Sequence, residues 1–183
     1  MDIALKNNSE SEIITACINH ERWAQRILYE EFYPSMMVVC LRYSNNREDA
    51  LDILHDGFIK VFKYVDKYKQ GTSLNAWMKR LMINTAIDFY RKRVRRRTEN
   101  LDEVYNASSK DPDIFSVLGA KDILRALSHL SPTYRAVFNL YVIEGYSHKE
   151  IAQKLKISES TSRSNLVKAR ARLRDLLSGR GFK

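Results

Sequence analysis

Residues 147–173 read SHKEIAQKLKISESTSRSNLVKARARL, and this stretch decides how the C-terminal part of the chain folds. Ser147 and Glu150 stand three residues apart directly before an apolar pair, which is the capping-box pattern that begins a helix. The apolar spacing of this helix stops near Leu155. The pattern therefore predicts a short helix with a second helix close behind it.

The second helix of this pair is amphipathic and basic. Lys156 and Ile157 form the turn before it, and Ser158 can cap it, so that it runs to about Leu177. Many such turns carry glycine at the place of Lys156, because that residue adopts a positive φ, and a lysine there costs about 1 kcal/mol. The apolar line of the second helix consists of Leu166, Ala169, Leu173 and Leu176.

Two helices joined by a tight turn, the second of them basic, have the geometry of a helix-turn-helix that reads the major groove of DNA. The alternative is a capped helical hairpin whose charges are simply solvated. The start of the second helix favours DNA, since it combines short hydrogen-bonding side chains with one long guanidinium. The residues expected to bind duplex DNA are Ser158, Ser160, Thr161, Arg163, Ser164, Asn165, Lys168 and Arg170.

Positive charge is concentrated in two segments of an otherwise acidic chain. Residues 79–97 contain eight Lys or Arg and one acid, and residues 146–183 contain ten Lys or Arg and three acids, so each segment carries +7. The whole chain carries only +9. Because phosphate binding works through concentrated cations that release counterions, this distribution indicates two nucleic-acid surfaces.

The N-terminal half shows three helical segments. Residues 9–43 form an amphipathic helix that we expect to be broken near Pro34. Residues 48–66 form a second helix with Asp49, Asp52 and Asp56 on the face opposite its apolar positions. Residues 74–97 form a third helix, whose apolar positions are Trp77, Leu81, Ile83, Ala86, Ile87 and Tyr90.

The third helix ends in the basic run Arg91–Arg97 and follows a polar, glycine-containing loop at residues 69–73. One interpretation is a solvated helix end favoured by the helix dipole. The combination of loop, nearby Trp77 and cationic helix favours binding of single-stranded or distorted DNA instead. Trp77 itself lies on the apolar line, which favours a place in the core.

Residues 98–119 contain five acids, several serines, Asn106 and Pro112 with little periodicity, which is typical of a linker. Helical spacing returns at residues 120–129 and 132–144, with Pro132 in a first turn after Ser131. The apolar stripe of the last segment is Tyr134, Val137, Phe138 and Tyr141. We therefore predict an all-α protein with two small helical domains, residues 1–97 and 120–183, joined by a flexible acidic linker.

The bulk composition narrows the class further. The chain has 183 residues with only six glycines and three prolines, which favours long helices. Cys17 and Cys40 form no pairing motif, and the longest apolar run, residues 36–41, is too short to span a bilayer. The first 20 residues are polar and mixed in charge, so we expect no signal peptide. We expect a soluble cytoplasmic protein without membrane insertion.

No catalytic chemistry is expected from this sequence. It has no Gly-rich phosphate loop, no Ser/His/Asp set and no metal-ligand spacing. We therefore expect no enzyme activity, no cofactor and no metal. The four histidines are far apart in sequence and are interpreted as structural or solvated: His20, His55, His129 and His148.

Five motifs carry a family resemblance: DALDILHDGF at 49–58, WMKRLMINTAIDFYR at 77–91, LSPTYR at 130–135, EGYSHKEIA at 144–152 and ISEST at 157–161. Together, and in this order, they resemble the bacterial RNA polymerase sigma factors of the extracytoplasmic-function (ECF) group. The resemblance covers about residues 25–97 and 120–177.

The resemblance implies a role for each segment. The C-terminal helix would recognise the minus-thirty-five promoter element, and an anti-sigma factor would be a partner besides core RNA polymerase and promoter DNA. Residues implied to bind core polymerase are Asp49, Asp52, Ile53, His55 and Asp56. Residues implied to bind the melted minus-ten element are Gln70, Thr72, Ser73, Asn75, Lys79, Arg80, Asn84, Asp88, Arg91 and Arg95.

The sequence departs from the family pattern at four positions. His55 and Asp56 stand where Gln and Glu are usual in the polymerase-binding helix. Ser162 stands where an apolar Val is frequent, and Asn165 stands where Arg is frequent. The last two departures lie in the recognition helix and bear on which promoter bases are read.

Two other functions compete with this interpretation. A helix-turn-helix regulator would use residues 120–177 as a dimer on palindromic duplex DNA, without polymerase. An RNA-binding or anti-termination protein would use the arginine run and bind structured RNA without residues 120–183. The second cationic helix argues against the first rival.

Overall fold

The computed structural model describes residues 9–99 and 121–178, and these residues form helices and turns without a strand. The all-α prediction is confirmed for them. The helices are α1 (Glu10–Ile18), α2 (Arg22–Tyr43), α3 (Arg47–Tyr64), α4 (Leu74–Glu99), α5 (Lys121–Ser128), α6 (Pro132–Phe138), α7 (His148–Leu155) and α8 (Glu159–Leu177). A 3₁₀ turn, Val65–Lys67, follows α3, and a π turn, Asn139–Ile143, follows α6.

Contacts divide the chain into two compact units: Met1–Cys40 with Leu51–Thr85, and Leu41–Ala50 with Ala86–Lys183. Three helices, α2, α3 and α4, therefore contribute to both units. The predicted domain bounds at 97 and 120 stay a prediction, since residues 100–119 of the expected linker lie outside the described residues.

The first unit packs around an apolar core supplied by all of its helices. α1 lies against the 3₁₀ turn. α3 and α4 pack closely at Gly57, because a methyl group there would collide with Sδ of Met82. The largest fully buried apolar side chains of this unit are Ile13, Ile14, Leu28, Met36, Ile53, Leu54, Met78 and Met82.

The predicted break at Pro34 is wrong, because α2 runs through this residue. Proline removes a single backbone donor, and the buried side chains of Phe32 and Met36 anchor the helix on either side of it. The chain turns earlier instead, between α1 and α2, where His20 adopts a left-handed φ of 60°.

The second unit encloses a core between α5, α6 and α8. Its buried members include Leu127, Leu130 and the predicted apolar line of α8, so that prediction is confirmed. Buried Arg135 of α6 donates hydrogen bonds of 2.8–2.9 Å to the carbonyls of Leu127, Ser128 and Leu130. The carbonyls of Leu127 and Ser128 belong to the last turn of α5, where carbonyls have no partner within the helix, and the carbonyl of Leu130 lies in the turn that follows.

The segment predicted as one helix from 132 to 144 changes its winding at Asn139. The π turn adds a residue to that turn and rotates the side chains that follow. Tyr141, predicted to lie in the buried stripe, is exposed for this reason. Its ring stacks on His148, with centroids 4.5 Å apart and planes at 22°.

Candidate nucleic-acid and protein interfaces

The outward face of α3 is acidic at its N-terminal half. Asp52, His55 and Asp56 are exposed and lie on the side opposite the core. Asp49 is half-buried, and its Oδ2 accepts a 2.5 Å ion-pair contact from Nη1 of Arg93. A partner that binds this face therefore meets Asp52 and Asp56 directly, whereas Asp49 is already paired.

Ile53 does not belong to this face, which corrects the sequence expectation. Its side chain is 0% exposed, because its helical phase points it into the core. The large apolar residue that shares the outward phase of Asp52 and Asp56 is Ile59, which is 63% exposed. Ile59 follows Asp52 by seven residues and Asp56 by three, and positions with this spacing share one helix face. The sequence pattern therefore contained the signal for Ile59.

The loop before α4 is built by local hydrogen bonds. Gly71 adopts a φ of 82°, and the Oγ of Ser73 accepts a 3.2 Å bond from the backbone of Ala76 at the start of α4. The hydroxyl of Tyr68 lies 2.8 Å from Oε1 of Glu10 and 2.5 Å from the carbonyl of Thr72, and it can donate to either. Burial raises the pKa of Tyr68, so this hydroxyl remains a donor.

Several predicted minus-ten residues lie around this loop at the surface. Gln70, Thr72, Ser73 and Asn75 are all exposed. Gln70 accepts a 3.0 Å bond from Ser11, and the hydroxyl of Thr72 donates to the carbonyl of Lys69. Trp77 is half-buried against the ring of Tyr68, so its place in the core is only partial. The loop thus presents polar side chains beside an aromatic pair.

Five of the predicted residues on α4 form a single stripe. Each residue of a helix advances by about 100°, so spacings of four, four, three and four keep side chains on one face. Within the stripe, Asp88 pairs with Arg91 at 3.5 Å. Lys79 precedes the first member by one residue and lies about a quarter turn away. The stripe consists of Arg80, Asn84, Asp88, Arg91 and Arg95.

The helix-turn-helix forms as the sequence predicts. Ser147 and Glu150 make both bonds of the capping box, and Ser158 accepts from the backbone of Thr161 to cap α8. Lys156 adopts the left-handed conformation, with φ 57° and ψ 47°. The predicted caps and the positive φ are confirmed, and they set α7 and α8 at a tight turn.

The outward face of α8 carries most of the predicted duplex-binding side chains. Arg163 is exposed, and its guanidinium lies 3.0 Å from the carboxylate of Glu159. An exposed pair of this kind contributes little, so it does not hold Arg163 away from a ligand. The exposed members of the predicted set are Ser158, Ser160, Thr161, Arg163, Ser164, Lys168 and Arg170.

The expectation that Asn165 faces duplex DNA is also corrected. This residue is only 9% exposed and lies on the packed face of α8 together with Leu166 and Ala169. Val167 is an unpredicted member of the outward face; it is 67% exposed and follows Ser160 and Ser164 by seven and three residues. These spacings place Val167 on the same outward face, so its helical phase was the signal for it.

A polar cluster joins the start of α7 to the first turn of α8. Ser162 is 0% exposed, and its Oγ lies 2.8 Å from Nδ1 of His148. Burial and the nearby charges of Arg163 and Arg170 lower the pKa of His148, although Glu159 opposes them. The guanidinium of Arg170 lies 5.9 Å from the ring centroid of Tyr141, which stacks on the imidazole.

Residues 9–99 and 121–178 contain no group of three His, Cys, Asp or Glu side chains arranged to hold a metal ion. Cys17 and Cys40 are buried free thiols, and burial raises the pKa of Cys17 to about 11.

Within residues 9–99 and 121–178, no helix is both long enough and apolar enough to cross a membrane.

Two family models match this chain. "Sigma-70 region 2" matches residues 28–96, and "Sigma-70, region 4" matches residues 120–173. The first match contains the acidic face of α3 and the stripe of α4, and the second contains the helix-turn-helix. The chain therefore belongs to the sigma-70 family.

Named relatives refine the assignment. The ECF RNA polymerase sigma factor SigE of Mycolicibacterium smegmatis is 38% identical over 142 residues, 74% of this chain and 54% of that protein. The ECF RNA polymerase sigma factor SigM of Mycobacterium tuberculosis is 25% identical over 169 residues, 92% of this chain and 85% of that protein. The chain thus spans about half of the first relative and most of the second. It is a member of the ECF group of sigma factors.

A solved structure shows the same fold. It is the sigma factor RpoE in complex with the anti-sigma factor NepR from Bartonella quintana, with a TM-score of 0.53 and 24% identity. The match covers 82% of this chain and 96% of that one.

Proposed function

We propose that this chain binds core RNA polymerase and directs it to initiate transcription at specific promoters. The observation that carries the proposal is one acidic helix face and two cationic helix faces on a chain of the ECF sigma family. The acidic face is on α3, and the cationic faces are on α4 and α8. Each face suits a different step: docking on polymerase, holding melted DNA and reading duplex DNA.

Core polymerase docks on the outward face of α3. Asp52 and Asp56 offer exposed carboxylates on one side of a rigid helix, which complement a basic surface and steer association. Ile59 lies in the same phase and supplies apolar area to the contact. Ile53 supports this face from beneath as a core residue.

The melted minus-ten element lies along α4 and the loop before it. The stripe from Arg80 to Arg95 provides cations for phosphates with Asn84 and Asp88 between them for polar contacts. The loop at residues 69–73 and the pair of Tyr68 and Trp77 offer a polar surface beside aromatic rings for an unstacked base. Extruding a base costs a few kcal/mol, and melted DNA lowers this cost.

The minus-thirty-five element lies against the outward face of α8. Arg163 in the first turns has the fork that recognises guanine in the major groove. Val167 stands two turns beyond Ser160 and one turn beyond Ser164 and is a large exposed apolar residue of this face. The apolar group that a major groove exposes is the methyl of thymine, so we assign Val167 to contact one.

An anti-sigma factor is proposed as a regulatory partner. The solved structure with the same fold is itself a complex with an anti-sigma factor. Because the proposed partners are polymerase, promoter DNA and this regulator, we place the working protein in the cytoplasm.

Multi-round transcription with purified core RNA polymerase, this chain and a pool of genomic fragments tests the proposal. We expect transcripts from defined start sites only when the chain is present, with two shared elements upstream of the starts. Binding of duplex DNA without any initiation contradicts the proposal and favours a helix-turn-helix regulator. A preparation freed of copurified inhibitor is the required control.

A further inference from the structure

The first turn of α8 is joined to the start of α7 by a buried hydrogen bond. Ser162 is fully buried there, and a hydroxyl without access to water needs a partner inside the protein. That partner is Nδ1 of His148 at 2.8 Å, on the first residue of α7. The later turns of α8 are held differently, by Leu166, Ala169 and Leu173 in the core.

The imidazole of His148 is itself fixed from a second side. The ring of Tyr141 stacks on it, and Arg170 of α8 lies over that tyrosine. The π turn, the start of α7 and the first turn of α8 therefore meet at one side chain. Because stacking on Tyr141 fixes the imidazole of His148, it also fixes the position of Nδ1, which forms the hydrogen bond with Ser162.

Ser162 lies between Thr161 and Arg163, two of the residues proposed to face the minus-thirty-five element. A small rotation of this turn about the helix axis moves the long Arg163 side chain away from its target, and bidentate recognition depends on the direction of the guanidinium fork. We infer that His148 is a positioning residue that sets, through Ser162, the direction in which Arg163 meets the promoter. This inference rests on the proposed function.

Two pairs of substitutions test the contact. Ser162→Ala removes the hydroxyl, whereas Ser162→Thr keeps it. His148→Asn keeps a polar atom close to the place of Nδ1, whereas His148→Gln places its amide nearer to the place of Nε2. Each pair thus contains one variant that can retain the contact and one that loses it.

The measurement is promoter discrimination by the holoenzyme of core polymerase and full-length chain. It compares initiation at a natural promoter with initiation at one whose upstream base pair opposite Arg163 is changed. We expect Ser162→Ala and His148→Gln each to lower this ratio about tenfold, with no further loss in the double variant. The variants Ser162→Thr and His148→Asn should stay near the wild-type ratio.

Two results overturn the inference while leaving the proposed function intact. One is an unchanged ratio in Ser162→Ala and His148→Gln, whether or not their melting temperatures fall. The other is a double variant whose losses multiply, since independent effects mean that the two residues do not act through one contact. A wild-type holoenzyme that initiates equally on both promoters contradicts the assignment of Arg163 to that base pair, on which the inference depends. A chain that supports no initiation at either promoter contradicts the proposed function itself.

Discussion

α3 and α8 are both amphipathic helices with a charged outward face, but their packed faces are built differently. The packed face of α3 consists of apolar side chains and Gly57, among them Ala50, Ile53 and Leu54. The packed face of α8 includes the polar Ser162 and Asn165. On α3 no polar residue is buried in the packed face, whereas on α8 two polar residues are.

The difference shows where specificity can be set in a helix of this kind. A purely apolar face holds its helix by area and tolerates small shifts, whereas a buried hydroxyl holds it in one direction. α3 needs a surface of the right charge, and α8 needs side chains aimed at individual bases. The following four predictions test this contrast, from the largest expected effect to the smallest.

Reversing the charge of the α3 face should have the largest effect. The double variant Asp52→Arg with Asp56→Arg should lower affinity for core polymerase by at least about 100-fold, because like charges then face each other across the contact. The free energy of unfolding should change by less than about 0.5 kcal/mol per residue, since both side chains are exposed. Equilibrium binding and urea unfolding measure the two quantities.

A matched control is Glu21→Arg with Asp66→Arg, which reverses two exposed acids elsewhere in the same unit. It should leave the affinity for polymerase nearly unchanged. Unchanged affinity of the α3 variant for polymerase would contradict the assignment of this face as the docking surface.

Truncating Arg163 should cost about 1–3 kcal/mol, or 5- to 150-fold, at one upstream base pair. Initiation rates on promoters with each upstream position substituted measure the effect. Arg172→Ala, an exposed cation farther along the same helix, serves as the control and should weaken all sequences alike. If Arg163→Ala also weakens all sequences alike, its side chain contacts a phosphate.

Replacing thymine by uracil in the minus-thirty-five element removes single methyl groups. At one position this should weaken binding of the wild-type holoenzyme about fourfold, because burial of a methyl group contributes about 0.8 kcal/mol. The holoenzyme with Val167→Ala should bind the thymine and uracil DNAs with more nearly equal affinity at that position. At the other positions its affinity should change as the wild type's does. Equal sensitivity of the variant and the wild type contradicts the methyl contact.

The pH dependence of stability should show the smallest effect. The groups facing His148 are Tyr141 of the π turn and Glu159, Arg163 and Arg170 of α8. Burial and the charges of Arg163 and Arg170 lower the pKa of His148, and Glu159 opposes them without reversing the direction. The unfolded chain takes up this proton at about pH 6.5, and the folded chain takes it up only at lower pH. The contribution of His148 to the free energy of unfolding is therefore fully present above pH 6.5 and is lost as the pH falls below this value.

Urea unfolding of the wild type and of His148→Asn at pH 7 and pH 5 measures this dependence. The wild type should lose more stability than the variant between the two values. If the wild type and His148→Asn differ in free energy of unfolding by the same amount at pH 7 and pH 5, the pKa of His148 is the same in the folded and unfolded chain, and the prediction is wrong.

The sequence predicts this fold well where a single local rule decides the structure. The caps at Ser147 and Ser158 and the left-handed Lys156 depend on neighbouring residues alone, and the structure confirms them. The apolar periods of α3 and α8 are confirmed for the same reason. The family is also evident from motifs whose order is preserved.

The sequence fails where distant residues decide. Whether Pro34 ends a helix depends on packing of the residues around it, and the π turn that exposes Tyr141 changes the helical phase without a mark in the apolar pattern. The contact of His148 with Ser162 joins two helices, so neither helix reveals it alone. Burial of Asn165 and exposure of Val167 follow from the exact rotation of α8 on its core.

Lys156 offers a practical consequence for the design of sigma factors with new promoters. Substituting the residues of a recognition helix usually lowers stability, and a left-handed lysine is a position where stability can be recovered. Glycine at this position relieves backbone strain of about 1 kcal/mol, partly offset by the greater freedom of the unfolded chain. A library of altered α8 sequences built on Lys156→Gly should therefore yield more folded members than the same library built on the natural turn.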